Sequence, residues 1–267
     1  MLKFISLSSG SNGNCYYLGD EEFSLLIDVG IGGRTIKKRL LSFDIDVSKI
    51  DLVLVTHDHI DHIRYLGSFS EYYCKPVYAT EILHKALSYH PCTTGKINSC
   101  KRFSYLNQSF TVKGVSITPF EVPHDATQTL GYFIDFKGVK FLFVTDLGAI
   151  NDDLLRYAGM ADNIIIESNY DIDMLIHGGY TPELKARILN DSGHLSNDQT
   201  AEVIKRIYHK GLKNIYLCHL SENNNTPQSA TNCIRSILKQ IGVDVERRVK
   251  VQALPRRSPF EELFDFQ

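Results

Sequence analysis

Residues 57–62 read His-Asp-His-Ile-Asp-His and directly follow the apolar run DLVLVT, which ends at Thr56. In an extended chain, residues two apart project to the same side, so His57 and His59 are placed to meet one metal ion. As the chain bends into a helix, Asp61 and His62 come into position for a second ion. Imidazole and carboxylate groups at this density suit divalent cations better than they suit packing, and the chemistry they support is metal-assisted hydrolysis. Further ligand types recur in a regular way. Asp28 ends FSLLID, His124 ends SITPFEVPH, Asp146 ends KFLFVTD and His219 ends NIYLCH. Each closes an apolar run, and strand ends are where sites are assembled on layered α/β folds. Taken singly, each also fits a satisfied turn or core polar group.

The elements that must position these residues follow from periodicity. Strands are expected at 2–7, 15–18, 23–29, 51–56, 75–80, 163–167, 214–219 and 249–254, with hairpins over 109–122 and 130–145. Helices are expected around 35–43, after Asp61, and near 81–89, 151–158, 181–190, 196–210 and 226–241. Residues 90–101 read as a loop. The tail from about residue 256 is polar, acidic and aromatic, and is expected to be loosely held. Strands alternating with helices predict a layered α/β protein, and no Gly/Ser or Pro-rich linker divides the chain, so one domain over 1–267 is expected.

Composition narrows the class. Hydrophobic residues are 43% and charged residues 22%, ordinary values for a folded globular protein. No apolar run approaches the roughly 18 residues of a membrane helix. The stretch after Lys3 is too short for a secretory signal. The six cysteines, Cys15, Cys74, Cys92, Cys100, Cys218 and Cys233, show no C-x-x-C pair or disulfide framework. Free thiols without a leader predict the cytoplasm. Zinc on Cys92 and Cys100 is weaker than the reading of plain thiols. The formal charge is −2, which argues against broad coating of nucleic acid by bulk charge.

The pattern H-x-H-x-D-H with later His, Asp and His resembles the metallo-β-lactamase superfamily. That resemblance implies an α/β four-layer αββα sandwich, the metallo-β-lactamase fold, with a pair of divalent ions (Zn²⁺ or Mn²⁺, with iron also suited) and no organic cofactor. It implies His57, His59 and His124 as ligands of the first metal and Asp61, His62 and His219 as ligands of the second. Asp146 is implied as the bridging carboxylate, and Asp28 as the acid that orients a histidine through its other ring nitrogen. The β-lactamases themselves usually carry Arg at the position of His62, and the short interval from Asp146 to His219 has no room for the domain inserted in larger nucleases. The segments SSGSNGN, GGYTPELKARILNDSGHLSN, ESNYD and LCHLSENNNTPQSA resemble, in order, motifs of the YycJ/WalJ family. Tyr170 stands where that family commonly has histidine, and Asp58 and Ile60 depart at non-ligand positions.

This narrower resemblance implies a metal-dependent phosphodiesterase, a 5′ exonuclease acting on DNA through a hydroxide bridging two metals, with Asp61 taking the water's proton. His194 is expected to contact the scissile phosphate or protonate the leaving group, the alternative being a helix-entry cap. Ser11, Asn12 and Asn14 are expected to hold a 5′ phosphate, and Lys185 and Arg187 to meet the DNA backbone. Lys37, Lys38, Arg39, Arg256 and Arg257 are further basic candidates. No membrane partner is expected. A glyoxalase II-like thioester or lactone hydrolase, and a metal-binding regulatory adaptor of cell-wall signalling, remain as alternatives.

Overall fold

The computed structural model describes residues 1–266. Its strands are β1 (Leu2–Ser8), β2 (Cys15–Gly19), β3 (Ser24–Ile27), β4 (Leu52–Leu54), β5 (Val77–Ala79), β6 (Lys101–Phe103), β7 (Phe110–Val112), β8 (Val115–Glu121), β9 (Leu130–Phe136), β10 (Val139–Val144), β11 (Asn163–Glu167), β12 (Asn214–Cys218), β13 (Lys250–Ala253) and β14 (Phe260–Phe264). Its helices are α1 (Gly33–Leu41), α2 (Ile60–Ile63), α3 (Leu66–Tyr73), α4 (Glu81–Tyr89), α5 (Asp152–Ala158), α6 (Ile172–His177), α7 (Pro182–Leu189), α8 (Asn197–Ile207) and α9 (Pro227–Gln240). Contacts group the chain into two compact units. One holds Met1–Val115, Ala126–Gln128 and the chain from Pro255 onward, and the other holds Ser116–Asp125 and Thr129–Leu254.

The first unit is built on a sheet of order β14-β1-β2-β3-β4-β5-β6. Its β14–β1–β2–β3 pairings are antiparallel, and β3–β4–β5–β6 are parallel. Parallel neighbours need a crossover, which α1, α2 with α3, and α4 supply in turn. Strands β2, β3 and β4 are buried at every position, which is why their sequences read as continuous apolar runs rather than alternating ones.

The second unit is built on strands in the order β13-β12-β11-β10-β9-β8. The β9–β10 hairpin is antiparallel, with Lys137 and Gly138 at its turn in left-handed conformation, and β10–β11–β12–β13 are parallel. Its core packs Leu142, Val144, Ile164, Ile166, Ile215 and Leu217 against helix residues including Leu154, Ile204 and Ile234. Helix α8 begins with a full capping box, Ser196 and Gln199 exchanging side-chain and backbone hydrogen bonds.

Several elements differ from the sequence expectation. Residues 101–103, which begin at the last residue of the expected 90–101 loop, form an edge strand, because β5 supplies a parallel partner that the short, basic KRF run does not advertise. Helices α3 and α6 were not anticipated. The first lacks a side-chain cap, and the second is a short helix capped by Asp171. The tail expected to be loose from 256 contains β14, paired from Phe260 to Phe264 with β1. Gln267, the last residue of that tail, lies outside the described residues. Among the described residues, no helix is long and apolar enough to cross a membrane.

Without β14, strand β1 would present an unpaired edge. Ending the chain after Pro255 is expected to lower Tm by several degrees and to promote concentration-dependent association, read by thermal melts and light scattering.

Candidate metal centre

In each unit, ligand-type residues sit just beyond the C-terminal ends of parallel strands. In the first unit Asp28 follows β3 with φ 61°, a left-handed conformation that Asp tolerates better than most residues. Its backbone N–H donates to Leu54 O at 2.9 Å, tying it to β4. The side chain is fully buried. It accepts hydrogen bonds from Thr56 N (2.8 Å), Thr56 Oγ1 (2.7 Å) and His62 Nδ1 (2.6 Å). A carboxylate only accepts, so His62 carries its proton on Nδ1 and presents Nε2 as a lone pair. The Thr56 hydroxyl spends its proton on Asp28 and therefore accepts from His57 Nδ1 at 3.0 Å, which leaves His57 in the same tautomer. The rings of His57 and His59 lie 4.7 Å apart, and those of His57 and His62 4.1 Å apart.

The second unit holds an analogous set. His124 Nδ1 donates to Gly193 O at 2.7 Å, again leaving Nε2 as the lone-pair nitrogen. Asp146 is buried two residues beyond β10. His219, directly after β12, has φ 52° and donates from Nδ1 to Glu167 Oε1 at 2.9 Å. His194 donates from Nδ1 to the same oxygen at 2.7 Å. Glu167 closes β11, is fully buried, and accepts at Oε2 from Leu147 N (3.0 Å) and Leu195 N (3.2 Å). His219 Nδ1 also lies 3.2 Å from Asp146 Oδ2, and His194 Nδ1 lies 3.9 Å from it. Asp146, Glu167, His194 and His219 together offer a group of donor atoms close enough for one cation.

An asparagine network holds this second set in place. Asn169 Nδ2 donates to His219 O at 2.9 Å and to Glu167 Oε1 at 3.3 Å. Asn197 and Asn225 pair reciprocally through their amides, at 3.0 and 2.9 Å, and Ser168 Oγ donates to Asn197 Oδ1 at 2.6 Å. This gives the GHLSN and LSENNN motifs a physical role. They join the turn carrying His194 to the loop that follows His219.

Burial alone would pull the His194 pKa down. The adjacent Glu167, through its charge and hydrogen bond, more than offsets this, so His194 titrates above the usual histidine range. Burial likewise pushes Glu167 up, but the His194 charge and the hydrogen bonds from His194 and His219 hold it below the usual carboxylate range. His124 is lowered, chiefly by burial.

The donor chemistry fits divalent metal. His57, His62, His124 and His219 each have Nδ1 engaged by an oxygen acceptor, the arrangement that orients ligating imidazoles. Glu167 is the residue that sequence reasoning missed as a site component, because an acid ending a strand reads as a boundary. Its signal was its place in ESNYD, at a strand end like the other candidates.

Other expected residues lie elsewhere. Asn14, expected to face a phosphate, is buried. Its Nδ2 donates instead to His62 Nε2 (2.9 Å) and Asp61 Oδ2 (3.2 Å), and its Oδ1 accepts from Gly10 N (2.8 Å). This loop packs so tightly that a Cβ on Gly30 would come 1.7 Å from Asp61 O and 2.6 Å from Asn14 N. Ser11 and Asn12 remain exposed at the tip of the turn. Lys185 Nζ donates to Ile176 O at 2.7 Å, and Arg187 is held in an ion pair with Asp125 at 2.5 Å. Arg39 donates to the carbonyls of Leu7 and Arg257, so it ties backbone together rather than standing out as a free cation. His194 is not the helix cap, since Ser196 fills that place.

Two outcomes are expected. Asp28→Asn should weaken divalent-metal binding by about 10- to 100-fold, read by competition with a chromogenic chelator. In metal-free protein, the raised His194 contributes stability that is full below its unfolded value of about 6.5 and is lost as pH rises through its folded value. The lowered Glu167 contributes stability that is lost only as pH falls through its folded value. Tm of chelated protein should therefore decline above about pH 6.5, and His194→Gln should remove most of that decline.

A family model, the Beta-lactamase superfamily domain, matches residues 24–219. The exodeoxyribonuclease YycJ of Bacillus anthracis is 31% identical over 259 residues, covering 97% of this chain and 97% of the relative. The exodeoxyribonuclease WalJ of Streptococcus pneumoniae is 33% identical over 264 residues, covering 98% of each. Among solved structures, the metallo-beta-lactamase fold protein YhfI from Bacillus subtilis superposes with a TM-score of 0.69 at 17% identity, covering 98% of this chain and 99% of that one. The metallo-β-lactamase fold expected from the sequence is therefore borne out. The fold implies divalent-metal binding, and the His/Asp clusters above supply the donors. The chain is a metal-dependent hydrolase, a member of the beta-lactamase superfamily and, within it, of the YycJ/WalJ family.

Proposed function

We propose that this hydrolase is an exonuclease that removes nucleotides from 5′ ends of DNA. The observation that carries the reading is the His194–Glu167 pair beside Asp146. Glu167 raises the His194 pKa above the usual histidine value, which favours the protonated form, and because Nδ1–H is committed to Glu167, Nε2 is the nitrogen that can carry a proton toward a leaving group. A phosphodiester expels an alkoxide, a strong base that needs a proton in the transition state. A thioester expels a thiolate, whose conjugate acid has a pKa of only about 8.5, and needs no such donor. An imidazole of raised proton affinity beside a ligand-type carboxylate therefore favours phosphodiester chemistry. The names of the two long relatives, both exodeoxyribonucleases, support the same reading.

In this proposal His57, His59, Asp61 and His62, within the first unit, and His124, Asp146 and His219, within the second, are ligands of divalent metal, Zn²⁺ or Mn²⁺ with iron also suited. Asp28 and Glu167 orient imidazoles. Bound divalent ions supply Lewis-acid stabilisation of phosphate charge and acidify water. Asp61 takes the proton of the attacking water, and His194 Nε2–H protonates the departing oxygen. Ser11 and Asn12, at the exposed turn, contact the 5′ phosphate, and Lys185 contacts the backbone.

The test is turnover by metal-loaded protein on 5′-phosphorylated duplex DNA, single-stranded DNA, RNA and an acylglutathione. Release of mononucleotides from DNA is expected, with His194→Ala about 10²- to 10⁴-fold slower and Asp146→Ala inactive. Hydrolysis of the thioester alone would overturn the nuclease reading. Metal-loaded protein that turns over none of them would point to an adaptor.

A further inference from the structure

Strands β4, β5 and β6 are adjacent and parallel, so their C-terminal ends lie along one edge of the first unit's sheet. The His57–His62 motif leaves from the end of β4. Two strands away, Phe103 ends β6 in register with Ala79 of β5. At about 4.8 Å per strand, this places the end of β6 roughly 10 Å across the sheet from the end of β4. That span is about three nucleotides at the spacing of a stacked strand.

The side chains at this outer end are unusual for a sheet edge. Phe103 is 53% exposed and Tyr105 is 61% exposed. The Phe103 ring is braced edge-on by His84, with centroids 5.2 Å apart and planes at 78°. His84 is itself fixed by a contact from Nε2 to Arg102 O at 2.9 Å. The exposed ring is thus packed against a buried neighbour. The surrounding charge is distinct from the rest of the chain. Across residues 81–110, Lys85, Lys96, Lys101 and Arg102 face the single acid Glu81, in a protein whose formal charge is −2. Lys85 and Arg102 are exposed.

We propose that Phe103 and Tyr105 form a platform on which bases of a single-stranded DNA segment stack a few nucleotides from the metal ligands, with Arg102 and Lys85 meeting its phosphates. Exposed aromatics flanked by cations are the combination that binds single strands with little sequence preference, because every base offers a π-face. Duplex DNA keeps its bases stacked on one another, so the platform selects unpaired strand. The proposal rests on the nuclease reading and adds to it a preference for a single-stranded segment at this edge.

The test is binding of metal-loaded protein to a labelled single-stranded oligonucleotide with a phosphorothioate backbone, followed by fluorescence anisotropy. Phe103→Ala and Tyr105→Ala should each weaken binding at least about fivefold, the lower end for loss of base–aromatic stacking. Phe103→Trp, which restores a face, should recover it. Arg102→Ala should reduce the slope of log affinity against log salt by about 0.7. Both alanine variants binding as tightly as the parent, while the parent binds and cuts DNA, would overturn the platform and leave the nuclease reading standing. A parent that neither binds nor cuts DNA would overturn both.

Discussion

A hydrogen bond to the second nitrogen of a metal-ligating imidazole sets both its tautomer and the direction of its lone pair. In this protein two buried carboxylates provide much of that bonding. Asp28 serves His62 directly and His57 through the Thr56 hydroxyl, while Glu167 serves His194 and His219. Burying a carboxylate is costly unless donors surround it. Asp28 has the Thr56 backbone N–H, the Thr56 hydroxyl and His62, and Glu167 has two backbone N–H groups, two imidazoles and an asparagine amide. The loops carrying these donors must therefore be held tightly, which accounts for the close approach at Gly30 and for the paired amides of Asn197 and Asn225.

The same requirement explains two left-handed residues at strand ends. Asp28 and His219 both leave a buried parallel strand with positive φ. A chain continuing straight would carry them past the site, and the reversed turn holds the side chain at the strand's end. Such conformations cost on the order of 1–3 kcal/mol. Here the hydrogen bonds of Asp28 N to Leu54 O and of Asn169 Nδ2 to His219 O hold them.

What the sequence made legible rests on local signals. The dense His/Asp motif and the strand-end positions of Asp28, His124, Asp146 and His219 depend on residue type and on apolar runs nearby. The sequence is least legible where a partner distant in the chain decides the outcome. β6 and β14 are short, half-exposed strands whose identity comes from β5 and β1. Asn14 lies in a turn rich in Ser and Gly, the composition of an anion-binding loop, yet its amide turns inward to His62 and Asp61. Arg187 reads as a cation available to DNA until Asp125, far along the chain, is seen to engage it.

By itself the sequence determined the chemistry on offer: which imidazoles and carboxylates exist, and that most of them end apolar strands. These properties are carried by the residues and their immediate neighbours. Only the tertiary structure decided which nitrogen of each histidine faces outward, that Glu167 belongs with His194 and His219, and that the Asn14 amide turns inward to His62 and Asp61. Apart from the His57 bond to its neighbour Thr56, those outcomes depend on hydrogen-bond partners 27 to 69 residues apart, and a pairing across such distances is set by the packing of whole strands and helices, which no local pattern encodes.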